Sequence, residues 1–143
     1  HSNVAFNVAF KRSTQRRSMI SNLITALSSI ARVHRGYLWL DQINEFPMIT
    51  FQIDERNLSH ISANIRYYLA NCTLRAYVKD ENSQSASDEL AQRIEEVLMG
   101  YSDRSNGVEE VRVTTITTDE GQMNPYGVVD MRFQILYQQK LTI

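Results

Sequence analysis

The chain has little of several things, and each scarcity narrows what it can be. One cysteine, Cys72, occurs in 143 residues, so no internal disulfide can form and a cysteine-rich zinc site is excluded. Five glycines leave little material for a phosphate-cradling loop, a dinucleotide fingerprint or a nucleophile elbow, and none of those motifs is written in the sequence. No long hydrophobic run exists. The most apolar stretch, Met19 to Val33, is broken by Ser21, Asn22, Thr25, Ser28, Ser29 and Arg32, which excludes a membrane span and the apolar segment of a secretory signal. Neither sign of charge is in excess. Fifteen basic residues against sixteen acidic ones leave a formal net charge of −1, so no global field draws the chain to nucleic acid or to an anionic membrane.

What is present is ordinary globular material: 43% hydrophobic and 22% charged residues, in a length that suits a single domain spanning 1–143, with residues 1–12 as a candidate N-terminal arm. Within that arm Asn3 to Phe6 is repeated at once as Asn7 to Phe10, too short a tandem to signal a repeat fold. Met19, Ile20, Leu23, Ile24, Leu27, Ile30 and Ala31 recur at helical spacing, which predicts an amphipathic helix from Ser13 to Val33 that stops near Gly36. Two strands are expected at Tyr37 to Leu40 and Met48 to Asp54, followed by a polar loop over Asn57 to Asn64 and a long strand from Ile65 to Lys79. A second helix carries Leu90, Ala91, Ile94, Val97 and Leu98 inward, capped through Ser85 and Asp88 and stopped by Gly100. The Val and Thr run Val111 to Thr118, a turn at Asp119 to Pro125 and the alternating run Tyr126 to Leu141 predict a C-terminal hairpin. The expected fold is α+β: one mainly antiparallel sheet covered by two helices. Leu74, Ala76, Val78, Val129, Met131, Phe133 and Ile135 should face Leu23, Leu27, Ile94 and Leu98 across its core.

Chemistry-bearing groups do not converge. His34 and His60 are isolated, with no metal-ligand spacing to Cys72 or to carboxylates, and Cys72 sits in an apolar alternating segment that favours a buried, inert thiol. Glu95 with Glu96 and Glu109 with Glu110 are adjacent pairs, which cannot supply the separate environments that a general acid and a general base require. No catalytic residue, cofactor or metal is therefore expected. The cluster Lys11, Arg12, Arg16 and Arg17 and the group Arg66, Tyr67 and Tyr68 could contact nucleic acid, but both also suit protein interfaces.

Taken together, several segments resemble the tail terminator proteins of long-tailed bacteriophages. They are the N-terminal helix, Ile43 to Phe51, the strand Thr73 to Val78 with its polar turn and the helix Ser87 to Met99, and the strand pair Val111 to Thr118 with Tyr126 to Tyr137. The resemblance implies a non-enzymatic virion protein that caps the tail tube as a homo-oligomeric, hexameric ring and presents a joining surface to the head. Its implied partners are its own copies, the tail tube protein and a head-completion or connector protein, with DNA touched at most non-specifically and no membrane. A head-completion or connector subunit and a small nucleic-acid-binding module are the alternative readings. Candidate subunit-interface residues are Arg16, Arg17, Asp41, Glu45, Arg66, Tyr67, Asp119, Glu120 and Asn124. The tandem Asn3 to Phe10 and the segment Asp54 to Asn64 depart from the family pattern.

Overall fold

The computed structural model describes residues 19–140; the tandem at Asn3 to Phe10 and the basic residues Arg16 and Arg17 lie outside them. Helix α1 occupies 19–28 and is followed by β1 (Arg32–Arg35), a 3-10 turn (Leu40–Gln42), β2 (Met48–Ser62) and β3 (Ile65–Lys79). Then come α2 (Ser83–Met99), a second 3-10 turn (Arg104–Asn106), β4 (Val108–Thr118) and β5 (Tyr126–Lys140). The strands form one five-stranded sheet in the order β1-β2-β3-β5-β4, antiparallel throughout except for the short β1–β2 pair. Both helices pack on one face, so the fold is the α+β arrangement expected.

The core follows from period-2 alternation in the two central strands. Ala70, Cys72, Leu74, Ala76 and Val78 of β3 pair with Ile135, Phe133, Met131, Val129 and Gly127 of β5, and this face meets Leu23, Leu27, Ile94 and Leu98 of the helices. Every residue expected on that face is buried. Cys72 is buried among them, and loss of hydration, reinforced by the Asp54 carboxylate, pushes its thiol up to about 12 from 9.0. At pH 8 its thiolate fraction is then on the order of 10⁻⁴, so a thiol reagent should label native protein only as fast as the core opens. The folded chain holds this proton to higher pH than the unfolded chain. The thiol's contribution to stability is therefore complete below about pH 9 and falls as pH rises toward 12. Labelling that outpaced unfolding at pH 8 would contradict this placement.

Four local expectations are corrected. α1 ends at residue 28, not at Val33. Thr25 and Ser28 donate side-chain hydrogen bonds back to the carbonyls of Ser21 and Ile24, and Ser29 bonds to Ala26, a competition that weakens the last turn. Val33 instead joins β1, parallel to β2. Tyr37 to Leu40 is not a strand: Gly36, at φ +99, turns the chain away after donating its N–H to Phe51, and Gln42 then accepts the Trp39 N–H inside a 3-10 turn. Asn57 to Asn64 is not a loop. It completes a long β2–β3 hairpin that pairs Ser62 with Ile65 around Ala63 and Asn64, with Ala63 in the left-handed region at φ 53. Finally, α2 begins at Ser83, where Asn82, not Ser85, is the cap and accepts the Ser85 N–H at 3.3 Å. The stop at Gly100 is as expected.

Buried Asp103 ties α1 to the loop that enters β4. Its carboxylate accepts from Asn22 Nδ2 at 3.1 Å, from the Tyr101 hydroxyl at 3.2 Å and from Asn106 Nδ2 at 2.9 Å. Such a group is stable only because these donors replace the water it has lost.

Candidate subunit-interface surfaces

One end of the sheet carries an aromatic cleft, and local chemistry builds it. On the sheet face opposite the helices, Tyr77 donates to the Leu38 carbonyl at 2.9 Å, and Arg75 bonds to the Tyr37 hydroxyl while its guanidinium lies 4.7 Å from the Tyr37 ring centroid. Arg75 is also held by Asp130 at 2.5 Å. Burial, opposed by the Arg75 charge, pushes the Tyr77 hydroxyl above its ordinary value, which keeps it a donor. A small apolar cluster of Ile43, Met48 and Tyr77, with Leu38, Leu40, Phe46 and Val128 against it, fixes the segment between β1 and β2 over this end. Phe46 meets Tyr126 with centroids 5.6 Å apart, across a sequence separation that only the fold bridges. The result is an open cleft lined by Trp39, Leu40, Asp41, Gln42, Ile43, Phe46 and Tyr126. Trp39 is 65% exposed at its rim, edge-on to Tyr37, and Met123 is exposed nearby in sequence to Tyr126. A tryptophan left this open on a well-packed segment is the composition of a docking surface.

The other end is the tip of the β2–β3 hairpin. A register irregularity between Leu58 and His60 makes Tyr68 the partner of Leu58 and Arg66 the partner of Ile61. Tyr68 and Arg66 are two apart on β3, so Leu58 and Ile61 share one face despite their odd spacing. They are 51% and 57% exposed. On the opposite face His60 stacks on Tyr67 with centroids 4.3 Å apart and planes 12° from parallel.

The expected interface residues divide between these ends. Asp41 lines the cleft. Glu45 is exposed beside it, paired with Arg32 at 2.9 Å. Asp119 accepts the Met123 and Val128 backbone N–H groups at 2.9 and 3.1 Å, and Asn124 accepts the Ser83 N–H at 3.2 Å, so both side chains shape the turn that carries Tyr126. Glu120 accepts from Gln84 at 3.3 Å. Arg66 and Tyr67 lie at the hairpin tip, far from the others. Trp39, Tyr126, Leu58 and Ile61 were not singled out by pattern. The chain's one tryptophan, in a run that reads as a strand, was the available signal for the first.

Glu110 is paired with Arg112 at 3.2 Å and is exposed, and Glu95 and Glu96 lie along α2. Among the described residues no group of three or more His, Cys, Asp or Glu is placed to hold a metal, and no helix is long and apolar enough to cross a membrane.

Comparison with known proteins returns a family match over most of the chain. The model of a family described as bacteriophage tail tube terminator protein matches residues 13–143. Among solved structures, a chain from the virion of a native gene transfer agent particle is similar, with a TM-score of 0.49 and 9% identity over 82% of this chain and 84% of that one. No curated protein matches.

Proposed function

The chain belongs to the bacteriophage tail tube terminator family, and from that premise we propose that it closes the head-proximal end of the tail tube as a homo-oligomeric ring. A structural, tail-terminating role in the virion goes with the family. The ring, its six-fold order and the joining surface it presents to a head-completion or connector protein are our reading.

The observation that carries this reading is the pair of unlike exposed surfaces at opposite ends of one sheet. A single surface that matched itself would make two-fold dimers, whereas two different surfaces on each copy make head-to-tail contacts, which close into a ring when the rotation allows. Unpaired sheet edges add to it. β1 pairs only with Met48 to Phe51, so the rest of β2 has no strand on that side among the described residues, and β4 forms the other edge. A contact stable in isolation should bury about 1,200–2,000 Å², and less if the ring forms only on its template. DNA passing through such a ring would be met without sequence preference, through charge alone.

Native mass measurement and electron microscopy on the isolated protein, repeated with assembled tail tubes, test the reading. Closed rings, free or seated on tube ends, are expected. A chain that stays monomeric or dimeric and leaves tube ends uncapped would overturn it.

A further inference from the structure

The two ends of the sheet differ in charge. The connections at the cleft end of the sheet carry Asp41, Glu45, Asp80, Glu81, Asp119 and Glu120, set against Lys79, the Arg75 held by Asp130 and the Arg32 already paired with Glu45, and of these acids Asp41 lines the cleft itself. From Arg56 to Tyr68 the hairpin carries Arg56, His60 and Arg66 and no acid. Each end also exposes apolar surface: Trp39 at the cleft and Met123 in the β4–β5 turn at the same end, Leu58 and Ile61 at the tip. β2 alone is 15 residues long, roughly 50 Å at about 3.3 Å per residue, so a chain cannot seat its own tip in its own cleft.

We propose that the β2–β3 hairpin tip of one copy docks in the aromatic cleft at the acidic end of the next, with Leu58 and Ile61 against Trp39 and Tyr126. This rests on the ring reading above and specifies its contact. Charge selects the partner. Tip on tip would bring Arg56 and Arg66 against their own kind, and cleft on cleft would oppose carboxylates, so both two-fold pairings are disfavoured while the head-to-tail pairing is favoured. The apolar residues supply a contact that is desolvated at its centre, with the charges at its rim, which is the arrangement stable interfaces use. The outer half of β2, exposed from Asn57 to Ser62, thereby gains a contact.

The full chain carrying Asn44→Cys together with Ser62→Cys, both exposed and beside the anchors of the proposed contact, tests the proposal, because the native Cys72 is buried and does not compete for reagent. A short bis-maleimide applied to the assembled protein, with or without tail tubes, should give a ladder of covalent oligomers ending at the ring order. Neither single-cysteine variant should go beyond a dimer. Ile61→Glu should weaken ring formation about 30-fold or more, as loss of a central interface anchor does. Arg56→Glu with Arg66→Glu should do the same and be partly rescued by Asp41→Arg with Glu45→Arg. Circular dichroism of the exposed-site variants serves as the check on folding; should one misfold, dissociation of wild-type rings by rising salt reads the same charge contact. Rings that form with no cross-link, or that persist in Ile61→Glu, would overturn this docking and leave the ring itself standing. Wild-type protein that forms no ring and caps no tube would overturn both.

Discussion

Phe133→Ala is expected to lower the unfolding free energy by about 3–5 kcal/mol, the cost of a large deletion from a packed interior. Phe133 is 1% exposed in β5, pairs with Cys72 and Val113 on its two sides, and stacks on Phe51 of β2 with ring centroids 5.8 Å apart and planes 19° from parallel. Truncation removes the transfer free energy of the ring and leaves a void that β2, β3 and β4 cannot all close in on, because their backbone ladders fix their spacing. Chemical denaturation of the monomeric protein, at a concentration below assembly, measures the effect. An unchanged midpoint with an unchanged slope would mean that this face of β5 is not the core.

Gly127→Val should lower stability by about 1–3 kcal/mol through overpacking. Gly127 lies in β5 opposite Val78, directly beneath the first turns of α2. A Cβ built there would approach Val78 Cγ2 to 2.8 Å and the Ser83 carbonyl oxygen to 3.0 Å, with Ser87 Oγ closer still. Ser83 and Ser87 are themselves buried small side chains, so the helix start rests on the sheet through a contact of minimal thickness. A larger residue must lift α2 or displace β5, and either movement disturbs the turn in which Asn124 accepts the Ser83 N–H. Thermal unfolding of Gly127→Val should show a lower midpoint, and Gly127→Ala a smaller shift in the same direction. Wild-type stability in Gly127→Val would contradict the close approach of helix to sheet.

The same physical distinction explains which elements were legible in the sequence. β3 and β5 were read with correct faces because each buries one side, and burial of one side forces the period-2 alternation that pattern reading detects. The outer half of β2 buries neither side. Asn57 to Ser62 therefore shows no apolar alternation and reads as a polar loop, although its backbone pairs with β3 to the last residue before the turn. Val33 met the helical pattern and was drawn into a strand, since its apolar side chain reaches the core from β1 as well as it would from a helix. Periodicity records which side chains are buried, and it is indifferent to the backbone that buries them.

The candidate surfaces follow the same rule at longer range. Asp41, Glu45, Asp119, Glu120 and Asn124 were traceable because acidic and turn residues between strands mark loops, and the fold does bring those loops to one end. Composition alone determined that the chain has no disulfide of its own, no membrane-spanning run and no phosphate loop, because those features need residues that must be present in number or in sequence. Alternation and helical spacing determined the sheet core and the two helices that cover it. Only the tertiary structure decided that Phe46 meets Tyr126, that a shifted register turns Leu58 and Ile61 to one face, and that acidic and basic ends stand a strand's length apart. Each of these is a relation between residues distant in the chain, or between strands whose pairing is set by backbone hydrogen bonds. No local pattern of side chains encodes such a relation.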